Sequence, residues 1–163
     1  SHIGIHGNYT NLSSVYKKKI KQLGVNDIEF LNFETGSFQN FRQSIWEKMN
    51  DLNTSFKPDL VFTHEEDDHQ DHCVVYNETK RNFRKSSIVQ YFISRSSIAF
   101  TPNCFYQLQK NDLDAKIKAL SKYEMYENRN YLNPINIESQ ARSAGVYIET
   151  EFAEMFKTEK YVW

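Results

Sequence analysis

Pro58-Asp59-Leu60-Val61-Phe62-Thr63-His64-Glu65-Glu66-Asp67-Asp68-His69-Gln70-Asp71-His72 is the stretch that decides how this chain folds. Pro58-Asp59 introduces residues 60–63, a short apolar run suited to a buried parallel strand. An acidic, histidine-rich loop follows over 64–71. From Asp71 the pattern turns helical, with Val74, Val75 and Phe83 on the apolar side. Ligands of sheets built from such strand–loop–helix units sit beyond the carboxyl ends of the strands. The loop therefore lies where an active site is expected.

The same alternation extends both ways from this segment. Upstream, Leu12, Val15, Tyr16, Ile20 and Leu23 form a helical stripe closed by Gly24. The run Ile28-Glu29-Phe30-Leu31-Asn32-Phe33 reads as a strand, Glu34-Thr35-Gly36-Ser37 as a turn, and 41–52 as a second amphipathic helix. Downstream, 88–93 reads as a strand. A helix is expected over 111–123, its Asp112-Leu113-Asp114 start suiting a positive helix terminus. Residues 146–162 read as one or two closing strands interrupted around Glu151. The fold class expected is α/β, a mainly parallel sheet with helices on both faces, forming a single domain over 1–163.

The chain has 163 residues, enough for one domain with a substantial core. Its aromatic content of 15% favours a packed domain over a disordered one, because such rings need burial or a ligand face. A net charge of -1 provides no basic field for phosphates, so nucleic acid is not an expected partner. No apolar run approaches the roughly 20 residues of a transmembrane helix, and no secretion signal is visible. Cys73 and Cys104 read as free thiols of a reducing compartment, which points to the cytoplasm. Ser1-His2 has the look of a scar left by a cleaved affinity tag.

Residues 63–72 hold three of the five histidines and five acids. The plain reading of such a stretch is a solvated acidic loop. Its place between a buried strand and a helix argues for more. His69 and His72 are three residues apart across a strand-to-helix turn, so both imidazoles can approach one point. Neutral imidazole is a common zinc ligand, and a neighbouring carboxylate fixes its tautomer by accepting the other N–H. Asp71 lies between the two histidines and is a candidate for that duty. Two histidines and one acid fall short of a catalytic zinc site, which usually has three protein ligands and a water.

The ordered set of motifs resembles the LmbE-like (PIG-L) deacetylases. Pro58-Asp59-Leu60-Val61-Phe62-Thr63 followed by Asp67-x-His69-Gln70-Asp71-His72 looks like the second motif of that family. Upstream, Gln22-Leu23-Gly24-Val25-Asn26-Asp27 and Phe30-Leu31-Asn32-Phe33 are similar to its "LGV…FLxF" stretch. Downstream, Ser87-Ile88-Val89-Gln90-Tyr91, the helix Lys116-Ile117-Lys118-Ala119-Leu120-Ser121-Lys122-Tyr123, Ala141-Arg142-Ser143-Ala144-Gly145-Val146 and Phe152-Ala153-Glu154-Met155-Phe156 resemble its later segments. The resemblance implies a Rossmann-like fold and removal of the acetyl group from an N-acetyl amino sugar or its conjugate with Zn2+ or another divalent metal. Carried onto this chain, it makes His72 a metal ligand. It places His69 beside the metal, to polarise the acetyl carbonyl or protonate the leaving amine. Asp71 would orient a histidine.

The family's first motif, "HPDDE", supplies two more ligands and the general base, and no His-Pro-Asp-Asp occurs here. An opening βαβ portion of roughly 50 residues is therefore expected to be missing. Either the chain is an N-terminally incomplete piece, or the protein has lost catalysis and survives as a carbohydrate-binding or interaction module. His6, in Ile3-Gly4-Ile5-His6-Gly7, is a conceivable substitute ligand if that segment ends a strand, although a loose terminus is the commoner outcome. Other departures from the pattern are Asn11-Leu12, where an arginine is frequent, and Met125-Tyr126, where Ser-Gln is common. Arg142 reads as structurally paired rather than substrate-binding, Glu154 as a strand residue, and Cys73 as a packed thiol. A third reading, a metal-dependent phosphoesterase using the acidic loop, would act on phosphate esters and leave N-acetyl sugars intact.

Overall fold

The computed structural model describes residues 2–7, 25, 27–121 and 129–163. The helix expected over 12–23, and the segment around Met125-Tyr126, lie outside the described residues. β1 (His2–Gly7) pairs in parallel with β2 (Ile28–Phe33), in register from His2 opposite Ile28 to Gly7 opposite Phe33. Residues 2–7 are thus a strand and not a loose terminus, and His6 stands opposite Asn32.

A 3-10 turn (Phe38–Phe41) leads into α1 (Arg42–Phe56), and β3 (Leu60–Thr63) follows. Then come α2 (Gln70–Asn82), β4 (Ser87–Tyr91), β5 (Cys104–Gln107), α3 (Lys110–Leu120), α4 (Pro134–Val146) and β6 (Ala153–Lys160). The second sheet has the order β3-β4-β6-β5, with β3 and β4 parallel and β6 antiparallel to both neighbours. The fold is mixed α/β. Its parallel pairs are β1 with β2 and β3 with β4, and the last third of the chain turns antiparallel. Among the described residues the helices α3 and α4 lie between β5 and β6. Gln107, the last residue of β5, stands opposite Ala153, the first of β6, and the Leu108 N–H donates to the Phe152 carbonyl at 3.0 Å.

Residues 134–146 are helical, so the closing strand expected from 146 begins only at Ala153. Asn133 caps α4, its side chain accepting the Ile135 N–H at 3.0 Å, and Pro134 occupies the first helical turn, where its missing N–H costs nothing. The apolar side of α4, Ile137, Ala141 and Ala144, is buried.

Among the described residues two clusters bury apolar surface. In the first, Phe38, Ile45, Met49, Val74, Phe83 and Ile88 pack with Phe33, Phe41, Val61 and Val75, joining α1 and α2 to β2, β3 and β4. Each such side chain is worth about 1.5–3 kcal/mol when fully buried. That is what fixes the start of α2 against the end of β3. In the second, Leu113, Ile137, Ala141 and Phe152 pack with Leu108, Ile117 and Leu120. Among the described residues no helix is long and apolar enough to cross a membrane.

Candidate active site

The histidine loop leaves β3 at Thr63 and enters α2 at Gln70, which makes His69 the N-cap residue. A Ser, Thr, Asp or Asn oxygen usually serves there. Here the imidazole does, its Nδ1 accepting the main-chain N–H of Asp71 at 3.2 Å. A ring nitrogen that accepts carries no proton, so the neutral ring keeps its proton on Nε2 and that edge is a donor.

Asp67 organises the rest of the loop, and its side chain is only 1% exposed. Oδ1 accepts the main-chain N–H of His69 at 2.8 Å, and Oδ2 lies 2.7 Å from His72 Nδ1. Burial pushes this carboxyl up, but the hydrogen bonds from His72, Ser96 and His69 outweigh it and hold the group below the usual carboxylate range. An ionised carboxylate only accepts, so His72 carries its proton on Nδ1 and keeps a lone pair on Nε2. The Asp67 main-chain oxygen accepts from the Cys73 thiol at 3.1 Å. Burial and the charges of Asp67 and Glu66 push that thiol up, so Cys73 stays S–H and does not offer a thiolate.

The His72 ring is sandwiched. His64 stacks on it with centroids 3.9 Å apart and planes 2° apart, and His69 stacks on it at 4.4 Å and 20°. The Tyr91 hydroxyl, from the end of β4, lies 3.1 Å from His64 Nδ1 and 3.2 Å from its Nε2. Burial and the Asp67 charge push the Tyr91 phenol up, so it remains O–H.

Of the residues expected from the sequence, His69 and His72 come together, but the Asp71 carboxylate does not join them. It accepts the Gly36 N–H at 2.6 Å and the Phe38 N–H at 3.2 Å, while Gln70 Nε2 donates to the Gly36 carbonyl at 2.5 Å. Gly36 has a φ of +84°, a conformation that suits glycine. Asp71 thus ties the β2–α1 turn to the start of α2, because the first turn of α2 packs against the free N–H groups of the 3-10 turn. The carboxylate that orients a histidine is Asp67. Only the Asp71 main-chain N–H meets His69.

Asp67, His64 and Tyr91 had no assigned role from sequence. The clue for Asp67 is its place five residues before His72 in the same loop. Tyr91 and His64 are both strand-end residues, which only the parallel pairing of β3 with β4 brings together. Arg142 pairs with Glu138 at 2.9 Å and Glu151 at 3.3 Å and lies 4.5 Å from the Phe152 ring centroid, while Glu154 on β6 pairs with Lys116. Both are structural, as their sequence context predicts.

A divalent metal fits what His72 offers. Its Nε2 lone pair is backed through Nδ1–H by a carboxylate, the usual outer partner of a metal-binding histidine. Among the described residues no group of three or more His, Cys, Asp or Glu is arranged to hold a metal.

Residues 16–83 match the family model described as PIG-L: GlcNAc-PI de-N-acetylase, a span that runs from before β2 to the end of α2 and includes the whole histidine loop. No curated protein matches the sequence. Among solved structures, a conserved protein from Thermus thermophilus superposes with a TM-score of 0.75 at 16% identity, over 100% of this chain and 83% of that one. The N,N'-diacetylchitobiose deacetylase from Pyrococcus horikoshii, complexed with an inhibitor, matches with a TM-score of 0.66 at 17% identity, over 96% of this chain and 72% of that one. The zinc-inhibited form of teicoplanin deacetylase Orf2 matches with a TM-score of 0.60 at 15% identity, over 83% of this chain and 57% of that one. At these identities the likeness is one of fold.

Proposed function

We propose, from the premise that residues 16–83 carry the PIG-L family pattern on a fold shared with sugar deacetylases, that this chain contributes to a metal-dependent hydrolase site. The reaction is removal of the N-acetyl group from an N-acetyl amino sugar or its conjugate, with zinc as the expected metal. The carrying observation is the pair of adjacent, stacked imidazoles whose Nδ1 atoms face unlike partners, the Asp67 carboxylate at His72 and the Asp71 main-chain N–H at His69.

An amide is a poor electrophile, so its hydrolysis needs a nucleophile and a stabilised oxyanion. A divalent metal held in part by His72 supplies Lewis-acid polarisation and a nucleophile at neutral pH. His69 Nε2–H donates to the acetyl oxygen as that atom gains negative charge. Its Nδ1 is occupied by the Asp71 N–H, so loss of the Nε2 proton would leave an imidazolate. His69 therefore polarises the carbonyl and does not protonate the departing amine. Asp67 holds His72, and Asp71 builds the turn beside them. A cytoplasmic setting goes with this reading, supported by the free thiols of Cys73 and Cys104.

The test is acetate release from N-acetylglucosamine and N,N'-diacetylchitobiose by the zinc-supplemented chain, with zinc content measured in parallel. Acetate and free amine should appear in equal amounts. His72→Ala should lose zinc, and His69→Ala should keep zinc but turn over about 100-fold slower. Absence of acetate together with unchanged zinc in His72→Ala would remove the reading.

A further inference from the structure

The two oxygens of Asp67 are both committed, and to unlike partners. Oδ1 faces the His69 main-chain N–H, which can only donate, at 2.8 Å. Oδ2 faces His72 Nδ1 at 2.7 Å, a nitrogen that donates or accepts according to tautomer. The carboxylate removes that choice, because it offers no proton. The Ser96 hydroxyl also bears on the Asp67 carboxylate, the Cys73 thiol holds the Asp67 main-chain oxygen, and the rings of His64 and His69 stack on His72, so Asp67 and His72 are held in register.

We propose that Asp67 is the positioning residue that fixes His72 as the Nδ1–H tautomer, and so makes two stacked histidines present opposite Nε2 edges to one site. The His69 tautomer is set separately, by its N-cap bond to the Asp71 N–H. Without Asp67 nothing among its described contacts opposes the Nε2–H form of His72. In molecules that adopt that form the Nε2 edge of His72 would be a second donor, with no lone pair to offer there. The metal-binding consequence rests on the reading above, whereas the tautomer assignment does not.

An amide at position 67 sharpens the case. In Asp67→Asn the single oxygen is claimed by the His69 N–H, which has no other acceptor in this arrangement. The amino group then faces His72 Nδ1, which must accept, and the proton moves to Nε2. A nearly isosteric change thus inverts the tautomer.

The experiment is long-range proton–nitrogen NMR on the metal-free, histidine-labelled chain at about pH 8.5, above the ordinary histidine range, with signals assigned from His69→Gln and His72→Gln. Wild-type His72 should carry its proton on Nδ1 and His69 on Nε2. In Asp67→Asn, His72 should switch to Nε2–H while His69 does not, and zinc retention should fall at least about tenfold. A wild-type His72 protonated on Nε2 overturns the proposal, and so does an Asp67→Asn spectrum with the His72 tautomer unchanged. If the variant does not fold, the wild-type spectrum decides. The expected spectra with no zinc uptake by wild type uphold the role of Asp67 and count against the metal reading.

Discussion

The carboxylate of Asp71 accepts the main-chain N–H of Gly36 across 35 residues of sequence, at 2.6 Å, and so joins the turn after β2 to the first turn of α2. Its other oxygen accepts the Phe38 N–H. Asp71→Ala leaves two main-chain donors without their acceptor, and each such loss costs about 1–3 kcal/mol when the group stays buried. Gly36 is exposed and its N–H can turn to water, so urea denaturation should show a drop of about 1–3 kcal/mol, set mainly by the buried Phe38 N–H, with the His72 tautomer unchanged. A stable variant with a changed tautomer would mean that Asp71 serves the histidines instead.

Glu78 is wholly buried on α2 and is gripped by Arg42 Nη2 at 2.6 Å and Arg81 Nη1 at 2.5 Å. Removing one partner of a buried pair costs roughly 3–5 kcal/mol, largely from the charge left behind. Here the arginines are about half exposed and can turn to water, so Glu78→Ala should lose less, on the order of 2 kcal/mol. Glu78→Leu fills the space and should recover part of that loss. Equilibrium unfolding of both variants gives the order.

Glu159 on β6 receives Lys80 at 2.7 Å and the Tyr76 hydroxyl and Gln90 Nε2 at 3.0 Å each. Burial raises its carboxyl, but the hydrogen bonds from Lys80 and Tyr76 outweigh that and set it below the ordinary glutamate range. A carboxyl lowered in the folded state stabilises above its unfolded pKa, and the gain fades as pH falls through the folded value. The thermal midpoint should therefore decline below about pH 4, and Glu159→Gln should flatten that decline. Superimposable acid limbs would exclude this contribution. Lys80 is raised, first by the hydrogen bond to Glu159, so its share is lost only as pH rises through its folded value.

At Gly145, near the end of α4, an added Cβ would collide with the main-chain oxygen of Thr150 and press on Glu151. The same turn is closed by the Thr150 N–H donating to the Gly145 carbonyl at 3.0 Å, so the backbone cannot easily retreat. Gly145→Ala should destabilise by about 1–3 kcal/mol, the usual cost of overpacking. A calorimetric midpoint equal to wild type would show that the turn yields.

The bounds of the strands 28–33 and 60–63 are legible, because alternation and a short apolar run are local signals, but 60–63 is not the buried strand expected, since Leu60 and Phe62 are exposed at the edge of the sheet. The antiparallel half is not, since the direction of β6 depends on the course of the chain between β5 and β6, which no residue near β6 encodes. The helix 134–146 escapes a sequence reading although Asn133-Pro134 announces its start, because Ala141, Ala144 and Gly145 make its apolar stripe faint. At the site, the spacing of His69 and His72 predicts their meeting. Which acid serves them is not readable. Asp67 and Asp71 are chemically equal in a string, and only the turn held at Gly36 draws one of them away.

The two hydrophobic clusters divide the molecule by duty. The first includes α2 and ends at Phe83 and Ile88, close to where the family match stops at residue 83. The second, around Leu113, Ile137 and Phe152, carries none of the histidines. β6 nevertheless ties the two together: it pairs with β4, whose Tyr91 meets His64, and its Glu159 holds Lys80 and Tyr76 of α2. Replacing β6 should therefore disturb how the histidines are held, whereas exchanges confined to the exposed residues of α3 should leave the imidazole stack as it is.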